Sequence, residues 1–155
     1  ARVPLAAGER LFSKWGFREL LETRAIAIAQ PEITRIGGIT EAKKIATLCE
    51  AFGVALAPHD GSAGPIAEMA NLHVLATTPS TLFLEHRARD VFWRREVVQG
   101  VLLDRDGYIT LGDKPGLGLE LDVEALAKYP PKPYGDFNYT YEDEIAINRR
   151  RRGTD

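Results

Sequence analysis

The sequence predicts an α/β fold built on a parallel sheet, and three observations carry that prediction. Short apolar runs recur through the first half of the chain with helix-like segments between them. The runs are continuous rather than alternating, as in strands buried on both faces. Each run also ends in a titratable residue at the start of a loop. The order βαβαβαβ implies right-handed crossovers, either in a doubly wound sheet or in part of a (β/α) barrel.

Taken in order, the first run covers residues 3–7 and leads into a helix over 13–22 with Trp15 or Phe17, Leu20 and Leu21 on one face. The second run covers 25–29. Gly37-Gly38-Ile39-Thr40 then leads into a helix over 41–52, closed by Gly53 in the C-cap position. After the third run, 54–57, Gly64-Pro65 opens a helix through Met69, Leu72 and Leu75 to Thr77, and Pro79 stops it. The fourth run covers 81–84. Beyond Arg89 the pattern changes. Residues 91–100 form an amphipathic stretch, Asp106-Gly107 reads as a turn entering a strand over 108–111, and Pro115-Gly116-Leu117-Gly118 reads as a rigid loop. Residues 122–129 read as a capped helix. The proline-rich and then basic end, with Arg149 to Arg152, is expected to be a surface tail that is partly disordered over 135–155.

Composition narrows the function classes. The chain has 155 residues, 45% hydrophobic and 27% charged, an ordinary balance for a globular domain. Twenty basic and 22 acidic residues leave a net charge of −2, which offers no broad field for nucleic acid or anionic lipid. No run approaches the roughly 18 apolar residues of a membrane span. Cys49 is the only cysteine, so no internal disulfide forms, and a cytoplasmic, untargeted chain with no membrane or nucleic-acid partner is expected. The sequence opens at Ala1 without an initiator methionine, its one Met being Met69, and is expected to be a piece of something longer.

The strand ends carry the chemistry. They read Gly8-Glu9, Gln30-Pro31-Glu32, Pro58-His59-Asp60 and Leu84-Glu85-His86, so Glu9, Glu32, His59 and Glu85 recur at intervals of 23, 27 and 26 residues. In a barrel, such ends open on one face, where reacting residues sit. Four such groups converging there would repel or desolvate one another unless a metal or a proton transfer required them. A carboxylate suits Mg²⁺, and an imidazole suits proton transfer near neutral pH, with a neighbouring carboxylate fixing its tautomer. Adjacent strands two and three bring Glu32 and His59 into reach of each other.

Gly8-Glu9-Arg10, Pro31-Glu32-Ile33-Thr34-Arg35-Ile36-Gly37-Gly38-Ile39-Thr40, Ala57-Pro58-His59-Asp60 with Gly64-Pro65-Ile66, and Thr78-Pro79-Ser80-Thr81-Leu82-Phe83-Leu84-Glu85 together resemble the enolase superfamily. Within it they resemble the mandelate racemase/muconate lactonizing enzyme family, most of all its galactonate-dehydratase-type acid-sugar dehydratases. Asp106-Gly107-Tyr108-Ile109 and the stretch from Lys114 to Glu120 extend the resemblance, which runs from Val3 to about Tyr134.

The resemblance implies the C-terminal half of a modified (β/α) TIM-like barrel. Residues 1–90 would be its last four β/α units, 91–134 a segment packing on the barrel and a capping domain, and 135–155 the tail. It implies an Mg²⁺-dependent hydro-lyase that abstracts the proton α to a carboxylate through an enediolate and eliminates water, giving a 2-keto-3-deoxy acid. Glu9 matches a metal ligand, His59 the dyad histidine that moves the proton, Glu32 its carboxylate partner, and Glu85 the residue that hydrogen-bonds the enolate. Where Glu32 stands, the family usually has Asp, one methylene shorter. The substrate implied is a small carboxylate, an acid sugar, with Arg10 and Asp60 as candidate contacts; Asp60 reads equally as a cap of the next helix. A racemase, epimerase or cycloisomerase of the same superfamily shares the enediolate, and a barrel fragment without chemistry is a third reading. Assembly as a homo-oligomer is implied for the full-length protein.

The remaining candidates read as structural. His73 is expected at a surface or interface, His86 in a structural role, and Cys49 as buried filler within a helix. The Gly61-Ser62-Ala63-Gly64 loop lacks the lysine of a phosphate-binding loop.

Overall fold

A computed structural model describes residues 2–60, 64–86, 93–100 and 106–130. Strand β1 (Ala6–Ala7) is followed by helix α1 (Ser13–Glu22), strand β2 (Ile28–Ala29), the short helix α2 (Ile33–Ile36), helix α3 (Gly38–Phe52), strand β3 (Ala55–Leu56) and helix α4 (Pro65–Ala76). The three strands are parallel and lie in the order β1-β2-β3. The fourth expected strand runs beside β3 as a single bridge, Leu56 to Thr81, with Leu82 N–H donating to the Leu56 carbonyl at 2.9 Å. This is the α/β arrangement of a parallel barrel segment. Gly53, at φ 70°, ends α3 in the left-handed region that a side chain disfavours, as a C-cap glycine should.

Register explains which side chains are covered. Ala7, Ala29 and Leu56 are mates across the sheet, half-buried or buried on the face that packs beneath the helices. Phe17 and Leu21 of α1, Ile45 and Cys49 of α3, and Val74 of α4 meet them in one core. Trp15, offered by the periodicity as an alternative to Phe17, is 58% exposed instead. The opposite face of mates, Ala6, Ile28 and Ala55, ranges from exposed to half-buried, so the expected burial of both faces is corrected. That face is the one a closed barrel fills with side chains from its other strands.

Two further expectations change. Helix α3 begins at Gly38 rather than Glu41, and α2, unforeseen, sits before it. Gly37 serves both, in the left-handed region at φ 110° as the C-cap of one helix and the N-cap of the next. The strand expected over 108–111 is a lone bridge position at Tyr108, because Asp106 and Gly107 turn the chain through positive φ. Regular pairing flanks it. Helix α5 (Trp93–Glu96) leads into β4 (Val98–Gln99), which pairs antiparallel with β5 (Glu120–Leu121).

The chain divides into two compact units, Ala1–Asp122 and Val123–Asp155. In the second, α6 (Val123–Ala127) shortens the helix expected over 122–129, and hydrogen bonds from Lys128 and Tyr129 N–H close its last turn. The tail over 135–155 with its four arginines, residues 61–63 of the glycine-rich loop, and residues 91–92 and 131–134 lie outside the described residues. No described helix is long and apolar enough to cross a membrane.

Candidate active site

Glu32 and His59 meet because the β2–β3 register continues past the strands. Ile28 pairs with Ala55 and Ala29 with Leu56, and the same interval of 27 residues makes Glu32 and His59 a parallel bridge pair. His59 N–H donates to the Pro31 carbonyl at 3.1 Å. The side chains follow the backbone, with His59 Nδ1 lying 3.0 Å from Glu32 Oε2. The Glu32 carboxylate is also held at the N-terminus of α2. Glu32 is the N-cap residue there, and its Oε1 accepts from Thr34 N–H at 3.2 Å and from the Thr34 hydroxyl at 2.9 Å. With Oε1 occupied twice, Oε2 is left for the imidazole. The carboxylate is 1% exposed, so its position is fixed by these three contacts rather than by water.

His59 Nε2 faces the other way and lies 3.0 Å from Glu9 Oε2. Glu9 stands two residues beyond β1, and its side chain remains 45% exposed. Arg35 Nη1 donates to the Glu9 carbonyl at 3.1 Å, and Arg10 Nε to Glu9 Oε1 at 3.3 Å. Three residues separated by 23 and 27 positions thus form one line, carboxylate–imidazole–carboxylate. It runs from the buried edge of α2 to an open cleft of about 770 Å³ lined by Glu9, Arg10 and Gln30 among others. Gly8 is required at that rim: its φ is 130°, and a Cβ there would stand 2.7 Å from the Phe17 ring.

Glu85 is brought alongside His59 through the backbone, its N–H donating to the Pro58 carbonyl at 3.4 Å. Its Oε2 is enclosed with no hydrogen-bond partner among the described residues. Asp60 is completely buried, its Oδ2 accepts from Arg94 Nη2 at 3.1 Å, and its Oδ1 has no hydrogen-bond partner among the described residues. Burial, opposed by Arg94, pushes its carboxyl up to about 7. His86 pairs with Glu68 at 2.6 Å, and Cys49 is buried in the core with its thiol pushed up to about 12 by desolvation. His73 lies half-buried on α4.

As an Mg²⁺ ligand Glu9 fits in chemistry and access: a half-exposed carboxylate of hard oxygens at a strand end. No group of three His, Cys, Asp or Glu among the described residues completes a metal site, so Glu9 would be one donor of a larger set. Thr34, Arg35, Glu68 and Arg94 were not singled out from the sequence. Thr34 alone had a local signal, the side-chain cap two residues after an acidic residue.

The sequence model of the enolase C-terminal domain-like family matches residues 1–126. The chain belongs to that family. Among relatives of this enolase-type chain, D-xylonate dehydratase of Haloferax volcanii is 38% identical over 124 residues, covering 80% of this chain and 30% of the relative. D-galactonate dehydratase of Cronobacter sakazakii is 40% identical over 130 residues, covering 80% and 34%. A solved mandelate racemase/muconate lactonizing enzyme from Jannaschia sp. CCS1 superposes with a TM-score of 0.79 at 36% identity, covering 85% of this chain and 33% of that one. The chain spans about a third of the length of the curated relatives it matches.

Proposed function

We propose that this chain serves as the C-terminal part of an Mg²⁺-dependent acid-sugar dehydratase. The observation that carries the reading is the His59–Glu32 pair, with Nδ1 of the imidazole 3.0 Å from a buried carboxylate and Nε2 turned towards the open cleft at Glu9. Support also comes from relatives named as dehydratases of xylonate and galactonate.

In this reading Glu32 accepts the Nδ1 hydrogen of His59 and fixes its tautomer, so that Nε2 is the nitrogen that takes the proton α to the substrate carboxylate. Glu85 hydrogen-bonds the oxygen on which negative charge develops. Arg10, exposed beside Glu9, is a contact for the substrate. Mg²⁺, held in part by Glu9, supplies Lewis-acid polarisation of that carboxylate when bound. Loss of the 3-hydroxyl, which leaves as water on taking a proton from an acid outside the described residues, gives an enol that tautomerises to a 2-keto-3-deoxy acid, and the substrate class is a free aldonate. The reading places the enzyme in the cytoplasm and as a homo-oligomer at full length.

The test is His59→Asn in the enzyme that carries this chain, assayed with aldonates and Mg²⁺ for semicarbazide-reactive keto acid. Loss of turnover by about 10³-fold or more, together with loss of α-proton exchange in D₂O, is expected. Retained activity overturns the assignment, and a product that is only the inverted hydroxy acid replaces dehydration with racemisation.

A further inference from the structure

A second set of charged side chains lies away from the Glu9–His59–Glu32 line and joins two strand ends. Asp60 follows His59 directly, and its Oδ2 accepts from Arg94 Nη2 at 3.1 Å. The same nitrogen reaches Glu68 Oε2 at 3.3 Å. Glu68 Oε1 lies 2.6 Å from Nδ1 of His86, which follows Glu85 directly. Asp60, Glu68 and Arg94 are all buried, and His86 is partly so. The contributors come from four separate places: the end of β3, helix α4, the segment after Thr81, and α5 beyond the sheet.

Burying a guanidinium between two carboxylates is costly in solvation, and apolar packing of the same volume is often as stable or more so. Stability alone is therefore a poor account of this cluster. Its placement gives a better one. The two residues it anchors each adjoin a residue of the candidate site, and the backbone link between those two strand ends is the long Glu85 N–H to Pro58 contact at 3.4 Å. Small errors in the placement of reacting groups are expensive, and sites are held by the side chains behind them.

We propose that Arg94 and Glu68 are positioning residues, and that the Asp60–Arg94–Glu68–His86 chain couples the strand end bearing His59 to the one bearing Glu85 and sets their spacing. The inference rests on the reading of His59 and Glu85 as groups of the active site, but the coupling is measurable without turnover.

The experiment is amide hydrogen exchange on this chain and on Glu68→Gln, Arg94→Gln and Arg94→Lys. The amides of His59 and Glu85 report the strand ends. Those of Leu56 and Ala57, bonded to Ser80 and Ala29, report the sheet behind them. Glu68→Gln keeps the shape and removes the charge. It should speed exchange at His59 and Glu85 by about tenfold while Leu56 and Ala57 change by less than about twofold. Arg94→Gln should do the same, and Arg94→Lys, which offers one cationic nitrogen to both carboxylates, should recover protection. Equal acceleration at all four amides, or none at His59 and Glu85 in Glu68→Gln, overturns the proposal. In the complete enzyme, Glu68→Gln should lower kcat by about 10- to 100-fold with KM little changed. Local loosening with kcat unchanged supports the coupling and removes instead the assignment of His59 and Glu85 to the reaction.

Discussion

Burial raises the carboxyl of Asp60 to about 7, with Arg94 pulling it down and the nearby Glu68 and Glu32 charges pushing it further up. The folded state therefore holds a proton that the unfolded chain releases near 3.8. This group's contribution to stability is complete below that value and is lost as pH rises through about 7. We predict that urea midpoints of the chain fall between pH 4 and 7 on this account, with a slope of at most about 1.4 kcal/mol per pH unit. Asp60→Asn should flatten that slope. A slope unchanged in Asp60→Asn would mean that Asp60 is ionised in the folded chain and that other groups set the dependence. The same residue shows the reach of local reading. Asp60 was a candidate for substrate or for a helix cap; Gly64 is the N-cap residue of the next helix, and Asp60 is buried against Arg94, 34 positions away.

Helices α1 and α3 are joined by Glu41, whose Oε1 accepts from Lys14 N–H at 3.0 Å and from Lys14 Nζ at 3.1 Å, while Oε2 meets Lys44. The backbone and side-chain hydrogen bonds of Lys14 hold this carboxyl at about 2, below its ordinary 4.5. Here the sign is opposite to that of Asp60. The contribution is present above 4.5 and is lost as pH falls through about 2. Glu41→Gln should lower the thermal midpoint at pH 7, and the gap from the parent chain should close as the pH is taken from 5 towards 2. A gap that persists at pH 2 would assign the loss to packing rather than charge. At this scale the long helices were legible, because α1, α3 and α4 carry apolar periodicity and stop signals in Gly53 and Pro79. The four-residue α2 was not, since one turn has too few positions to display a period.

The sheet packs one face beneath its helices and leaves the other partly open, and Val3, Leu5, Leu82 and Phe83 stay exposed near its two edges. Among the described residues Glu9 has no second and third acidic group beside it. Magnesium needs several oxygen ligands in near-octahedral geometry, so one carboxylate binds it poorly. Isothermal titration of this chain with Mg²⁺ should give no saturable binding below millimolar concentrations, the scale of weak sites. A submicromolar site would mean that the described residues do not contain all its ligands. Unpaired strand edges also favour self-association, visible as a sedimentation coefficient that rises with chain concentration.

Strand order, the parallel sense of the sheet and the residues at its strand ends are legible in the linear chain, because apolar runs, turn residues and the βα interval are all local properties. Family resemblance implies the roles proposed for Glu9, Glu32, His59 and Glu85. Distance is what the chain alone leaves open. Register determines that Glu32 and His59 are bridge mates, and the N-terminus of α2 holds Oε1 of Glu32 so that Oε2 lies 3.0 Å from the imidazole. The Asp60–Arg94–Glu68–His86 chain is likewise a product of tertiary packing, since its members are separated by 8 to 34 positions and carry no shared period. Hydrogen bonds and ion pairs act over about 3 Å, and only the folded chain brings such residues that close.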